Sequence, residues 1–210
     1  MNIDAGRGPA YRIETPRLVV RCMAPEDAPA FHRAVQANVE HLRPWLSWTR
    51  HEPRSLEERV RRLRQLRSYF DRGKDYVYGI FDGEEKKVLG ATGLQTRQGA
   101  GAREVSYWID REYCGQGLAT EVAGALVRVA FEVDRVRRVE LHCDPRNVAS
   151  AVIARRLGFE HEATLKARRY YGEGPPGDTM IWTLFEENYR GSPARDTMVR
   201  AFDGLGRQVL

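Results

Sequence analysis

The sequence predicts an α/β chain in which strands and helices alternate, and three observations carry this prediction. Residues 104–109 are rich in β-branched and aromatic side chains, as strands are. Between Leu118 and Val133, apolar side chains recur every three or four residues, which is the spacing of one helix face. Arg138–Cys143 then alternates polar and apolar side chains, as a half-buried strand does. A chain of 210 residues is long enough for one domain with a full core.

The N-terminal half contains start and stop signals for two helices. Residues 18–23 predict a first strand, and Pro25 then opens the first helix because proline suits a first turn. Ser55 and Glu58 form a capping box that begins a second helix, and Gly73 ends it. Further strands are predicted at 76–81, 88–95 and 178–185, and a further helix ends at Leu157.

The formal net charge is +5, and arginine carries the excess. This charge favours an anionic partner, such as a phosphate-bearing ligand, an acidic substrate or nucleic acid. The densest basic run, residues 59–67, falls on the solvated faces of the second helix, which argues against a nucleic-acid surface. No apolar run approaches the length of a membrane span, and residues 1–9 do not form a signal peptide.

The three cysteines, Cys22, Cys114 and Cys143, are odd in number and have no C-x-x-C spacing. Neither a disulfide framework nor a metal site is therefore predicted, and we expect a reducing cytoplasm.

A glycine-rich loop at residues 111–120 joins the strand at 104–109 to the helix that follows. Gly115 and Gly117 can adopt backbone angles closed to other residues and expose their N–H groups. The first N–H groups of a helix have no partner within the helix, and together with the two glycines they predict a cradle for a phosphate or pyrophosphate. The helix residues that contribute are Leu118, Ala119 and Thr120.

Spacing separates three kinds of phosphate loop. A Walker loop needs a lysine directly after its last glycine, and a dinucleotide-binding loop needs glycine where Thr120 stands. The remaining pattern, Arg111-x-x-x-Gly115-Gln116-Gly117-x-Ala119, resembles the acyl-CoA pyrophosphate loop of the GNAT N-acetyltransferase superfamily, with Arg111 one place upstream of its usual position. The alternative is a turn that only joins a strand to a helix.

A second motif lies after one helix and one strand. Asn147-x-x-Ser150, followed by a helix that ends in Leu157-Gly158-Phe159, resembles the second GNAT signature. Two motifs in the right order identify the chain as a member of the superfamily. The opening at residues 14–21 and the sequence at residues 41–48 resemble the branch of the RimJ/RimL ribosomal-protein N-acetyltransferases.

The resemblance implies the GNAT fold, a mixed twisted sheet of about seven strands with a V-shaped splay between the strands at 104 and 138, flanked by about four helices. The acyltransferase domain is expected at residues 13–187, between a flexible segment at 1–12 and a C-terminal extension at 188–210. The extension is expected to form a surface helix or a dimer arm.

The resemblance also implies acetyl transfer from acetyl-CoA to a primary amine by direct attack in a ternary complex. The candidate acceptors are a protein N-terminus, an amino acid derivative and an amine-bearing antibiotic, and succinyl-CoA is an alternative donor. Pantetheine would pair like an added strand with the backbone at 107–109. The expected CoA-binding residues are Tyr107, Trp108, Ile109, Arg111, Cys114, Gly115, Gln116, Gly117, Leu118, Ala119, Thr120, Asn147 and Ser150.

Amide formation makes three demands on the site. The acceptor ammonium must lose a proton, and Glu104 is the expected base, against the alternative of an exposed strand residue. A backbone N–H near Trp108 and Ile109 is expected to bind the oxyanion. Many GNAT enzymes donate to the leaving thiolate from a tyrosine where this chain has Ala154, so Ser150 is expected to donate instead, with Asn147 holding pantetheine or a water or capping the helix.

Aromatic residues predict the acceptor side. Trp45 and Trp48, in a proline-interrupted loop, suit the wall of a pocket, against the alternative that both pack in the core. Tyr170 and Tyr171, which follow two arginines, are expected at a basic acceptor mouth.

Cys114 and His142 are two further residues whose side chains could take part in chemistry. Cys114 precedes a helix start, where a thiol pKa falls, but packing or proximity to phosphate is favoured over a nucleophile. His142 is interpreted as a strand-face residue, since no metal ligands stand at a suitable spacing.

A different function class remains open, namely a CoA-binding module without catalysis, and nucleic-acid binding is a distant third. The expected partners are acyl-CoA, an amine and a second copy of the chain, without nucleic acid or membrane.

Overall fold

The computed structural model describes residues 9–170 and 174–210. Its strands are β1 (Arg12–Glu14), β2 (Leu18–Cys22), β3 (Asp75–Asp82), β4 (Val88–Gln95), β5 (Ala102–Ile109), β6 (Arg138–Cys143), β7 (Glu160–Arg169), β8 (Gly177–Phe185) and β9 (Arg200–Phe202). Its α-helices are α1 (Ala28–Leu42), α2 (Leu56–Asp71), α3 (Leu118–Glu132), α4 (Val148–Arg156) and the short α5 (Glu186–Tyr189).

The strands of this part of the chain form one sheet in the order β7-β8-β6-β5-β4-β3-β2-β1-β9. Only β5 and β6 run parallel, and all other neighbours are antiparallel. The predicted mixed sheet is therefore confirmed, with nine strands rather than about seven. The two additional strands are β1 and β9, which extend one edge of the sheet beyond β2.

Local signals place the helix starts. The Ser55 hydroxyl accepts a hydrogen bond from the Glu58 N–H at 3.2 Å, and the Glu58 carboxylate accepts one from the Ser55 N–H at 2.8 Å, so the predicted capping box is confirmed. Pro25 begins a short 3-10 turn, and α1 starts only at Ala28.

The two faces of the sheet carry separate apolar clusters. On one face, α3 and α4 pack on the sheet through fully buried residues such as Val122, Leu126 and Ala154. On the other face, Phe31 of α1 and Leu63 of α2 pack with Trp108 of β5. Since side chains alternate along a strand, Glu104 and Ser106 share the α1/α2 face with Trp108, and Tyr107 shares the α3/α4 face with Val105 and Ile109.

Both ends of the described chain join the fold. Ala10 is fully buried and its carbonyl accepts a hydrogen bond from the Tyr78 hydroxyl at 3.0 Å. The C-terminal extension packs on α3, where a Cβ at Gly124 would lie 2.3 Å from Thr197 Oγ1. The expected domain boundaries at 13 and 187 therefore do not coincide with the ends of the sheet. Most of the expected flexible segment, residues 1–8, lies outside the described residues.

None of the helices formed by residues 9–170 and 174–210 combines the length and the apolar character needed to cross a membrane.

Candidate active site

A gap opens between β5 and β6 at the centre of the sheet. The last β5–β6 pair is Val105 with Leu141, although β5 continues to Ile109. Beyond that pair, β5 stays bonded to β4 and β6 stays bonded to β8, so the two strands are held by different neighbours. The parallel strands therefore diverge into a V that is open at their C-terminal ends.

Main-chain groups of two β5 residues face this gap. Trp108 directs its carbonyl at β4, because a Cβ at Gly90 would lie only 2.0 Å from that oxygen. The Asp110 N–H also points towards β4 and donates to the Leu89 carbonyl at 2.7 Å. Since these directions alternate along a strand, Tyr107 and Ile109 turn their N–H and C=O groups into the gap. Of the three expected backbone contacts, two thus face the opening, and Trp108 is engaged with β4.

The glycine-rich loop lies at the open end of the V. Gly115 and Gly117 have φ angles of +78° and +80°, which favour glycine, and Gly117 is the N-cap of α3. Among the described residues, none accepts a hydrogen bond from the backbone N–H groups of residues 115–120. Residues 111, 112 and 114–117 are exposed, whereas Leu118 is buried beneath them. The loop therefore presents a set of free, convergent donors at a helix N-terminus, which suits an anion.

Arg17 is a cation at this loop that the sequence did not single out. Its guanidinium donates to the Gln116 carbonyl at 2.9 Å and pairs with Glu121 at 2.6 Å, next to Gly117. The expected cation, Arg111, is exposed, and its N–H donates to the Asn38 side chain at 2.8 Å. Arg17 lies 99 residues before Gln116, so only the fold brings the two together.

Cys114 is exposed in the same loop, with its Sγ 3.7 Å from His41 Nε2. Burial and the nearby Asp110 raise the pKa of the thiol. A raised pKa leaves little thiolate at neutral pH, which agrees with the preference for packing or phosphate proximity over a nucleophile.

Two hydroxyl groups meet across the gap on the α3/α4 face. Asn147 caps α4 by accepting a hydrogen bond from the Ser150 N–H at 3.1 Å. The Ser150 Oγ lies 3.0 Å from the Tyr107 Oη. Burial raises the pKa of the nearby Cys143 thiol to about 11, with the Ser150 hydroxyl acting in the opposite direction. The expected thiolate donor is therefore paired with a tyrosine of β5.

On the opposite face, Glu104 is the centre of an ion-pair cluster at the apex of the V. Its side chain is 1% exposed. Arg97 donates to one carboxylate oxygen at 2.7 Å and also contacts the other, Gln98 donates as well, and Arg169 approaches to 3.3 Å. Burial alone would raise the pKa of Glu104, but the bonds and charge of Arg97 outweigh it and hold the pKa at about 2. Glu104 is therefore an anion at neutral pH and a weak proton acceptor.

His142 lies beside this cluster, one residue beyond the last β5–β6 pair. Its Nε2 is 2.7 Å from a Glu140 carboxylate oxygen, and its Nδ1 is 3.7 Å from Glu104. Arg138 pairs with Glu140 at 2.7 Å. The sequence indicated only a strand-face histidine, because its carboxylate partners come from the alternation of β6 and from the neighbouring strand.

The expected acceptor-side aromatics do not all share one environment. Trp45 and Trp48 are both half-buried, and Trp48 packs against the α1/α2 cluster. Tyr170 is 51% exposed, and the Arg50 guanidinium lies 5.8 Å from the centre of its ring. Tyr171 lies outside the described residues.

In the described part of the chain, no three His, Cys, Asp or Glu side chains group so that they could hold a metal ion.

The chain is similar to known acetyltransferases in sequence. Residues 17–160 match the family model described as the acetyltransferase (GNAT) domain. The [ribosomal protein uS5]-alanine N-acetyltransferase of Escherichia coli (strain K12) is 29% identical over 166 residues, which cover 75% of this chain and 82% of the relative.

Solved structures agree in fold. The ribosomal-protein-S5-alanine acetyltransferase from Vibrio fischeri is 25% identical, with a TM-score of 0.74 over 85% of this chain and 98% of its own. RimL, the ribosomal L7/L12 α-N-protein acetyltransferase solved in complex with coenzyme A, is also 25% identical, with a TM-score of 0.74 over 81% of this chain and 95% of its own.

Proposed function

The chain belongs to the GNAT acetyltransferase family and is an acetyl-CoA-dependent N-acetyltransferase, and from that premise we propose that it acetylates the α-amino group of a protein N-terminus. The observation that carries this proposal is the divergence of β5 from β6 after Val105. It leaves an opening that a thioester can enter from one face and an amine from the other. Two relatives support a protein acceptor, one named as a [ribosomal protein uS5]-alanine N-acetyltransferase and one described as a ribosomal L7/L12 α-N-protein acetyltransferase.

Acetyl-CoA would enter from the α3/α4 face. The N–H groups of Tyr107 and Ile109 and the C=O group of Tyr107 face the gap and support pairing with the amides of pantetheine, as in strand addition. The free N–H groups of the loop at 115–120 support binding of the pyrophosphate, with Arg17 adding a positive charge. This route would place the thioester sulfur near the first turn of α4, which contains Ser150.

The amine would enter from the α1/α2 face, where the Glu104 cluster lies. We infer that the Glu104 carboxylate attracts the ammonium form of the acceptor, because it is ionised at neutral pH. We infer further that the proton leaves by way of His142, which Glu140 orients through Nε2. The predicted direct transfer to Glu104 stays a prediction. The Ile109 N–H, which faces the gap, is proposed as the oxyanion donor in preference to that of Trp108.

The test is a panel of acceptors assayed for release of free CoA. It contains short peptides with free N-termini that begin with alanine, serine or methionine, the same peptides with a blocked N-terminus, and small primary amines. We expect activity only with free N-termini, and mass spectrometry of the product should place the acetyl group on the α-nitrogen. Acetylation of small amines alone, or of lysine side chains in blocked peptides, would contradict the proposal.

We also propose that the protein works in a reducing compartment, the cytoplasm, since Cys22, Cys114 and Cys143 are all free thiols. The expected homodimer stays a prediction, and light scattering of the purified protein would test it.

A further inference from the structure

Tyr107 lies where β5 has already parted from β6. The last pair between the two strands is Val105 with Leu141, two residues earlier. Its ring packs against the α3/α4 cluster, and its hydroxyl spans the gap to the first turn of α4. A strand residue thus provides a polar contact inside the opening, at the end of α4 that faces it.

One of the two hydroxyl protons is not used in the hydrogen bond between Tyr107 and Ser150. Tyr107 Oη and Ser150 Oγ are 3.0 Å apart, so one hydroxyl donates to the other. Each hydroxyl has a single proton, and the pair therefore keeps one O–H for a third group. Neither hydroxyl donates to Asn147, whose side-chain oxygen accepts a hydrogen bond from the Ser150 N–H at 3.1 Å.

The surroundings indicate what the third group is. The Ser150 hydroxyl already faces a sulfur atom, that of Cys143. Cys143 ends β6 beside the gap and is 5% exposed. Ala151 and Ala154, the buried residues of α4, have no polar side-chain atom to offer. The hydroxyl pair therefore supplies a side-chain donor at the part of α4 that faces the gap.

We propose that Tyr107 and Ser150 act as one paired donor to the departing thiolate, with Tyr107 orienting the Ser150 hydroxyl and Ser150 contacting the sulfur. This inference rests on the role proposed above for acetyl-CoA in the gap. Tyr107 is in this sense a positioning residue, because its hydroxyl acts through Ser150.

The chemistry balances without a further reactant. When the tetrahedral intermediate collapses, the C–S bond breaks, its electron pair stays on sulfur, and the amide carbonyl forms again. The free O–H of the pair donates a hydrogen bond to the thiolate, which takes its proton from water after release. Burial raises the pKa of Tyr107 well above its ordinary value, so this hydroxyl keeps its proton and works as a donor throughout.

The experiment compares Tyr107→Phe, Ser150→Ala and the double variant in the full-length enzyme. Single-turnover release of CoA from acetyl-CoA isolates the chemical step, and calorimetry gives the Kd for CoA. Each single variant should lower the rate on the order of 10- to 100-fold, because a hydrogen bond to a charged group is lost. The Kd should change by less than about threefold, and the double variant should be no slower than Ser150→Ala by more than about threefold.

Tyr78→Phe is the matched control. Tyr78 is also buried on the α3/α4 face, and its hydroxyl donates to the Ala10 carbonyl. This variant should lower the unfolding temperature but leave the rate of CoA release unchanged. Thermal unfolding of all variants keeps loss of fold separate from loss of rate.

The outcomes separate this inference from the function on which it rests. A Tyr107→Phe enzyme as fast as the wild type, or losses that multiply in the double variant, would overturn the paired donor while leaving the acetyltransferase intact. Failure of the unaltered enzyme to bind CoA would instead remove the premise.

Discussion

β5 consists of two halves that differ in what lies beside them. In its closed half, from Ala102 to Val105, it pairs with β6, and in its open half, from residue 106 to Ile109, no described strand pairs with it on that side. The closed half contains the buried charge of Glu104, which is bonded by two arginines, and the open half contains main-chain groups that face the gap and the Tyr107 hydroxyl. The closed half therefore holds the apex of the V in place, whereas the open half remains available to bind a ligand.

The largest effect is expected in the closed half. Glu104→Gln removes the charge of a carboxylate that is 1% exposed and bonded by Arg97 and Arg169. The lowered pKa of that carboxylate corresponds to about 3 kcal/mol of unfolding free energy. Urea denaturation at neutral pH measures this loss. Glu14→Gln is the control, because Glu14 pairs with Arg12 and Arg200 at a more exposed position and its loss should cost less than about 1 kcal/mol. Equal losses in the two variants would show that the apex is not held by Glu104.

The same carboxylate predicts a pH dependence with a definite sign. The pKa of Glu104 is lowered from 4.5 to about 2 in the folded state, so its contribution is complete above pH 4.5 and disappears as the pH falls towards 2. The shift corresponds to on the order of 3 kcal/mol. The difference in unfolding free energy between wild type and Glu104→Gln should therefore be constant from pH 5 to 7 and shrink by about this amount below that range. A gap that widens on acidification would contradict the ionised, paired state.

A smaller effect is expected where the open half is held by β4. A Cβ at Gly90 would collide with the Trp108 carbonyl at 2.0 Å, so Gly90→Ala must displace the strand that turns Tyr107 and Ile109 into the gap. We expect a loss of about 2–3 kcal/mol in unfolding free energy and a weaker Kd for CoA, measured by denaturation and calorimetry.

Gly99→Ala is the control for this substitution. Gly99 also has a positive φ, of +91°, but nothing lies within 4 Å of the added Cβ. The cost there should be about 1 kcal/mol from backbone strain, with the Kd for CoA unchanged. If Gly90→Ala binds CoA as tightly as Gly99→Ala does, the open half does not depend on its packing against β4.

The smallest effect is expected at the loop beyond the open half. Arg17→Gln removes a cation that is 47% exposed and bonded to the Gln116 carbonyl. The Kd for CoA should rise about fivefold, since an exposed charge contributes about 1 kcal/mol or less, and the difference should fade in high salt. Arg200→Gln, at an exposed arginine of β9, is the control and should leave the Kd unchanged. If the Kd for CoA rose equally in both variants, the effect would come from the net charge of the protein and not from the position of Arg17.

Much of the fold was predictable because its signals are local. The capping box of α2, the apolar face of α3 and the two glycines with positive φ each depend on residues within a few positions of one another. The last two strands at one edge of the sheet, β1 and β9, were not predicted, because they have three residues each and their patterns are too short to recognise. Their pairing joins Ile13 to Ala201, nearly the full length of the chain apart.

The sequence by itself determined the element order, the glycine-rich loop and the two motifs from which acetyl-CoA binding is predicted, because chain geometry over a few residues decides each of them. Only the tertiary structure decided the chemistry around them. Arg97 and Arg169 suppress the basicity of Glu104, and Tyr107 meets Ser150 from a different element, 43 residues away. Such contacts depend on the register and divergence of strands that are distant in the chain, and no local pattern records which side chains they bring within a few ångströms.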